Sequence, residues 1–210
     1  MNVGTPQGTV LSPILFIDEI LKDLSHHIHA SQFADDVGIW CCGTDPKEVA
    51  KKLQLALNDI QAWCQKWRVK MSPAKSQMIM FSRGRTHQQV PISLKLEGQE
   101  IPKVAKATFL GVIFDEKLLW GPYIESLLQK VRFKVQILSD LAREQQHRHP
   151  KYMLNLFRCL ITPVFEYGAC CYAAMSQCHW QKIQSLHGRA IWLFLKMPKF
   201  ISYDNACNCV

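Results

Sequence analysis

The sequence has no apolar run near the roughly 20 residues that a membrane-spanning helix needs, so no segment of it reads as a transmembrane anchor. It opens on Met1-Asn2-Val3-Gly4-Thr5-Pro6, without the basic start and apolar core of a signal peptide. These absences predict an intracellular protein, with nucleus and cytoplasm equally open. Nine cysteines are present, but no pair has C-x-x-C spacing, and an odd count in a chain of 210 residues argues against a disulfide framework. Cys41-Cys42 and Cys170-Cys171 lie in apolar runs, where cysteine serves as a small core hydrophobe. Cys207 and Cys209 could form half of a metal site, yet no second pair of ligands follows them. A charged share of 20% against a hydrophobic share of 48% is ordinary for a folded chain and excludes disorder as the default.

What is present is a chain long enough for one large domain or two small ones, with a net charge of +8. That charge is uneven. Residues 1–81 hold 8 Lys and Arg against 8 Asp and Glu, whereas residues 82–210 hold 17 against 9. The excess predicts a polyanionic partner for the second part, nucleic acid before a membrane surface. A solvated basic surface would have the same composition.

The pattern divides the chain into an α+β part over residues 1–116, an all-α part over 117–200 and a tail over 201–210. Gly4-Thr5-Pro6-Gln7-Gly8 reads as a loop, followed by an amphipathic helix ending near His26. Ile28 to Phe33 and Val37 to Cys42 are short apolar runs flanking Ala34-Asp35-Asp36. Two adjacent carboxylates are disfavoured inside a strand but tolerated in a tight turn, so the stretch predicts strand, acidic turn, strand. Such a tip can hold a divalent cation through oxygen ligands. Thr44-Asp45-Pro46 then caps a helix with the stripe Val49, Leu53, Leu57, Ile60, Cys64 and Trp67.

Next come a short strand over Val69–Met71, a turn at Ser72-Pro73 with Lys75 behind it, and a strand over Gln77–Phe81. A hairpin follows over 91–102 on a two-residue Gly98-Gln99 turn. Ala107 to Phe114 reads as one strand interrupted by Gly111, a residue that in a strand marks close approach by another backbone or a ligand. Beyond it, three amphipathic helices are expected, on stripes Ile124–Leu141, Met153–Val164 and Trp180–Leu193, with Pro163 kinking or ending the second. The histidines at 26, 27, 29, 87, 147, 149 and 179 show no ligand spacing and read as surface residues.

The order of these pieces resembles the reverse transcriptase of non-long-terminal-repeat (LINE-type) retrotransposons. The matching residues are Gly4-Thr5-Pro6-Gln7-Gly8 with Leu11-Ser12-Pro13, then Phe33-Ala34-Asp35-Asp36, Lys75 within Ser72-Pro73-Ala74-Lys75-Ser76, and Phe109-Leu110-Gly111-Val112. Trp63, Trp67 and the stretch Ile161 to Gly168 add to the likeness, which covers nearly the whole chain.

The resemblance implies a partial polymerase palm, an antiparallel sheet with packed helices, followed by an all-α thumb-like bundle. It implies nucleotidyl transfer with two magnesium ions, an RNA template, a DNA primer and deoxynucleotides, and no membrane. Asp35 would be a metal ligand with Asp36 beside it. Lys75 would sit near the triphosphate, and Gly4, Pro6, Gln7 and Gly8 would line the nucleotide pocket. Leu110 and Gly111 would grip the primer end. The family also has fingers and a further metal-binding aspartate ahead of the glycine-rich loop, which Asp18 and Asp23 on the following helix do not replace. Weakened magnesium binding is therefore expected, with no polymerisation by these residues alone. The readings from other classes are an inactive retroelement remnant that at most binds nucleic acid, and a helical protein-interaction module.

Overall fold

The computed structural model describes residues 20–21, 24–25, 27–82, 90–144 and 150–195. Gly4, Pro6, Gln7, Gly8, Cys207 and Cys209 lie outside them, as does most of the helix expected before His26. Of that helix, Ile20 and Leu21 are in a turn and Leu24 in a bend.

The chain alternates short hairpins with helices: β1 (His29–Phe33), β2 (Asp36–Trp40), α1 (Pro46–Trp67), β3 (Lys95–Leu96), β4 (Gln99–Glu100), β5 (Lys106–Phe109), β6 (Val112–Asp115), α2 (Gly121–Glu144), α3 (Pro150–Leu160), α4 (Thr162–Glu166), α5 (Ala169–Tyr172) and α6 (Gln177–Leu195). It is a mixed fold of helices and small antiparallel sheets. Among the described residues the strands pair as three separate two-stranded sheets, β1–β2, β3–β4 and β5–β6. The chain falls into two compact units, divided after Gly111.

In the first unit, α1 begins as the sequence predicts. Asp45 is the N-cap, its carboxylate accepting from the Lys47 N–H at 2.9 Å, and Pro46 follows where a missing N–H costs nothing. The helix ends on Arg68 in the left-handed region, φ 55°, a conformation usually left to glycine. Its predicted stripe packs inward at Ile60 and Cys64, with Ala56 one turn ahead of Ile60; burial pushes the Cys64 thiol up from its ordinary range. Leu53 and Leu57 close over Leu94, Leu96 and Ile101 of the β3–β4 hairpin.

Polar contacts fix the same packing. Gln54 donates to the Lys95 carbonyl at 2.9 Å and accepts from the Lys95 N–H at 2.8 Å, so one amide behaves like a neighbouring strand. Gln61 accepts from the Glu97 N–H at 3.2 Å.

Four sequence expectations are corrected here. The β3–β4 turn is Glu97-Gly98, with φ of 51° and 77°, rather than Gly98-Gln99; Leu96 pairs with Gln99. Positive φ at both central residues is the demand of a type I′ turn, which glycine satisfies at the second position. Val69–Met71 is not a strand, because α1 runs to Trp67 and Val69 N–H is drawn back to the Cys64 carbonyl at 2.9 Å. Gln77–Phe81 contributes a single parallel bridge, Met78 to Lys103, rather than a strand. Residues 107–114 are two strands joined by Leu110-Gly111, with φ of 48° and 77°. Gly111 therefore turns the chain instead of admitting a neighbour to a strand interior.

The second unit is helical after β6. Asp115 organises its start: its carboxylate accepts from the N–H groups of Leu119 at 3.0 Å and Trp120 at 2.8 Å, just ahead of α2. The core is built on α2 from Ile124, Leu127, Leu128, Val131 and Leu138, facing Phe157 and Ile161 from the α3 side and Ile183, Ala190 and Ile191 of α6. Among the described residues five helices stand where the pattern predicted three. The second stripe breaks at Ile161, and Pro163 opens α4 as a first-turn residue, as its fixed φ favours. Gly168, with φ 71°, then lets α5 begin. No helix among the described residues is long and apolar enough to cross a membrane.

Candidate active site

β1 and β2 form the predicted hairpin in the register His29↔Trp40, Ser31↔Gly38 and Phe33↔Asp36. Ala34 and Asp35 are therefore the two turn residues, and Asp36 opens β2. Only the first of the pair has positive φ, 53° at Ala34, the pattern of a type II′ turn. Glycine normally takes that position, so an alanine there stores strain beside the carboxylates. Two contacts brace the hairpin: Gln32 donates to the Ala34 carbonyl at 3.3 Å, and His29 stacks on Trp40 across the open end, ring centroids 5.7 Å apart.

Alternation puts His29, Ser31, Phe33, Asp36, Gly38 and Trp40 on one face of the ribbon. Phe33 is exposed, as are Asp35 and Asp36. Among the described residues neither carboxylate has a hydrogen-bond or ion-pair partner. Nothing there neutralises the two charges, which leaves them free to take a cation.

The structure brings one further predicted segment to this hairpin. The ring of Phe109 lies against Gly38, where a Cβ would sit 3.2 Å from Cζ. Phe109 ends β5 and leads directly into the Leu110-Gly111 turn, so that turn starts one residue from a side chain touching the acidic hairpin. A neighbour with any side chain at 38 would be displaced, and the glycine admits the ring.

Lys75 sits on its own exposed turn, where its N–H donates to the Ser72 carbonyl at 3.1 Å. Ser76 closes the turn through its N–H, at 3.1 Å, and its hydroxyl, at 3.0 Å, both donating to the Ser72 carbonyl. The segment after it is tied to the one before β5: Met78 N–H donates to the Pro102 carbonyl at 3.0 Å and Val104 N–H to the Met78 carbonyl at 2.8 Å. No hydrogen bond or ion pair among the described residues links Lys75 to Asp35 or Asp36.

Two residues that position the site were missed in the sequence. Gly38 is a glycine inside a strand, which marks close approach by a neighbour, here the Phe109 ring. Ala34 carried no signal, since an alanine does not announce a left-handed turn.

The donor set suits a hard divalent cation. Asp35 and Asp36 offer oxygen ligands in adjacent positions, and no cluster of three or more His, Cys, Asp or Glu that could hold a metal occurs among the described residues. One or two carboxylates, completed by waters and substrate phosphates, is the ordinary way to bind magnesium at a nucleotide site.

A family model for reverse transcriptase (RNA-dependent DNA polymerase) matches residues 1–114. The chain is 24% identical, over 96% of its own length, to a probable RNA-directed DNA polymerase from transposon BS of Drosophila melanogaster. It is 25% identical, over 90% of its length, to the RNA-directed DNA polymerase from mobile element jockey of the same species. A third relative, from the Drosophila melanogaster transposon X-element, is 22% identical over 94% of the chain. The chain spans only 23%, 21% and 22% of those three proteins. No solved structure matches it. The continuity of the likeness does not favour an inactive remnant, and with the acidic hairpin inside the matched region the chain belongs to the reverse transcriptase family, as a reverse-transcriptase domain of the non-long-terminal-repeat retrotransposon type.

Proposed function

We propose that this chain supplies the acidic centre of an RNA-directed DNA polymerase, with Asp35 and Asp36 holding the metal that a primer and a deoxynucleotide share. The observation that carries the reading is the pair of unpartnered, exposed carboxylates on a braced hairpin, with Phe109 delivering the Leu110-Gly111 turn to its flank. In this reading residues 1–116 are the palm part and residues 117–200 the thumb part.

Magnesium would supply charge neutralisation at the attacking and leaving oxygens of phosphoryl transfer. The protein's share is positioning. Asp35 and Asp36 present their oxygens from a turn whose register is fixed on both sides, and Phe109 holds the neighbouring turn, which would contact the primer end. Lys75, on a turn closed by three hydrogen bonds to one carbonyl region, would meet the triphosphate as a point charge. Gly4, Pro6, Gln7 and Gly8 would line the nucleotide pocket. An RNA template, a DNA primer and deoxynucleotides are the partners.

The test is Mn2+ binding by the purified chain, read by electron paramagnetic resonance with and without a deoxynucleoside triphosphate. Nucleotide should tighten metal binding, and Asp35→Asn with Asp36→Asn should abolish that tightening while the circular dichroism spectrum stays unchanged. Equal metal binding by the parent and the double variant would overturn the proposal. Any RNA-templated primer extension by the chain must likewise vanish in Asp35→Asn.

A further inference from the structure

The helical unit carries a pair of sulfurs that the acidic centre does not use. Cys170 and Cys171 are neighbours on α5, and their Sγ atoms lie 4.0 Å apart. Cys171 packs partly against the helical core, whereas Cys170 is exposed, so only one of the two serves as the core hydrophobe that their sequence context predicts. The other vicinal pair is arranged differently: Cys41 Sγ lies 3.7 Å from the Cys42 carbonyl, in a segment outside any helix or strand.

The backbone under Cys170 and Cys171 is held on both sides. The Cys171 N–H donates to the Gly168 carbonyl at 2.9 Å, and the Tyr172 N–H to the same carbonyl at 3.4 Å. Ahead of the pair, the Tyr167 carbonyl accepts from the Tyr123 hydroxyl at 2.8 Å; behind it, the buried Tyr172 donates its hydroxyl to the Phe165 carbonyl. The Tyr123 and Tyr172 rings pack together, centroids 5.7 Å apart. A braced turn of helix therefore presents the two sulfurs.

Their spacing decides what they can bind. A disulfide needs the sulfurs about 2.05 Å apart and the Cα atoms at least about 4.4 Å apart. Adjacent residues hold their Cα atoms about 3.8 Å apart across a trans peptide, so closure requires the backbone of α5 to distort. A single ion asks for far less. With metal–sulfur bonds of about 2.3 Å, two sulfurs stand roughly 3.8 Å apart around a tetrahedral ion and roughly 4.6 Å around a linear one, which brackets the observed 4.0 Å. Ligand number then separates the ions. Among the described residues no group of three or more His, Cys, Asp or Glu could hold a metal, so the pair stands as two ligands, whereas structural zinc takes four. Two sulfurs satisfy a soft ion of low coordination number, and among such ions thiolates select monovalent copper.

We infer that Cys170 and Cys171 form a two-sulfur clip for one monovalent copper ion at the α4–α5 junction. Both thiols lose a proton on binding, two copper–sulfur bonds form, and copper keeps its oxidation state. The inference goes beyond the polymerase reading and shares no residue with the acidic hairpin. The braced turn presents the sulfurs already spaced, so the folded chain binds more tightly than the unfolded one, and copper raises the unfolding midpoint.

The test titrates the whole reduced chain with monovalent copper, without oxygen, against the chelator bicinchoninate. The parent chain should retain one more copper ion than Cys170→Ala, and copper should raise its unfolding midpoint by more than the variant's. Cys170 is exposed, so without copper the variant should unfold at the parent midpoint. Cys171→Ala should lose the same ion, since one sulfur alone does not make the clip. The difference should persist when Cys41→Ala and Cys42→Ala are present in both chains. Equal copper retention by the parent and Cys170→Ala would overturn the inference. So would zinc that the parent retains and Cys170→Ala loses, because zinc calls for a larger ligand set. A third overturning result is a disulfide between Cys170 and Cys171 formed readily by oxidised glutathione in the folded chain, read as the loss of two hydrogens from the mass of that peptide.

Discussion

Phe109 lies against Gly38, its Cζ 3.2 Å from where a Cβ would stand, and this contact couples the acidic hairpin to the turn that follows β5. A methyl group at 38 forces the ring to give by a few tenths of an ångström, and a branched side chain forces it out. Gly38→Val is therefore expected to lower stability by about 1–3 kcal/mol, the usual range for overpacking, with Gly38→Ala costing less. Urea unfolding checks this, and Phe109→Leu should recover part of the loss in the Gly38→Val background. An additive pair of effects would show that the two residues do not touch.

Ala34 occupies a left-handed turn position at φ 53°, next to Asp35. The left-handed region costs an L-residue roughly 1–2 kcal/mol, part of which glycine gives back through its freer unfolded chain. Ala34→Gly should stabilise the chain by about 0.5–1 kcal/mol, and denaturant unfolding measures it. A destabilised variant would place Ala34 outside the left-handed region.

Gly168, with φ 71°, faces Tyr123: a Cβ there would lie 2.9 Å from the Tyr123 hydroxyl, which donates to the Tyr167 carbonyl at 2.8 Å. Gly168→Ala combines backbone strain with displacement of that bond and should cost about 2–3 kcal/mol. Tyr123→Phe removes the bond alone and should cost about 1 kcal/mol. Thermal unfolding of both separates the two contributions, and equal losses would deny the steric one.

The helical unit should lose stability at both ends of the pH scale. Burial, followed by the charge of Tyr123, pushes the Tyr172 hydroxyl up to about 12, while it donates to the Phe165 carbonyl. A raised folded value means stability that is complete below the unfolded value near 10 and lost as pH rises from there towards about 12. At the other end, burial holds His187 below its usual 6.5, with its ring edge-on to Phe157 and Phe165 at 5.3 Å each. That neutral histidine favours folding above 6.5, and its contribution is lost as pH falls through the lower folded value. Unfolding midpoints against pH should flatten on the alkaline side in Tyr172→Phe and on the acid side in His187→Leu. Unaltered pH profiles would remove both assignments.

Much of the candidate site was legible because its signals are local. An Asp-Asp pair between two apolar runs has one comfortable conformation, a turn, and Asp45-Pro46 ahead of a three- and four-residue stripe has one as well, the start of a helix. The helix starts where the pattern put it, and the hairpin stands with Asp35 in its turn, but Asp36 is already the first residue of β2, paired with Phe33. Residues 69–71 and 77–81 were misread as strands because an apolar run of that length has no period to separate strand from packed coil. Met71 and Met78 satisfy their burial against the hairpin core instead. Leu110 hid its turn in the same way, since a leucine at φ 48° contradicts its own preference.

By itself, then, the sequence determined the acidic hairpin, the α1 cap and the helical character of the second part, because each depends on neighbours a few residues away, and the family, through motifs spread along residues 1–114. Tertiary structure alone decided that Gly38 admits the Phe109 ring and that Gly111 stands in a turn rather than inside a strand. It likewise decided that Ala34 bears turn strain. Those facts depend on which surfaces meet, and close packing makes that choice only when distant segments fill one another's space.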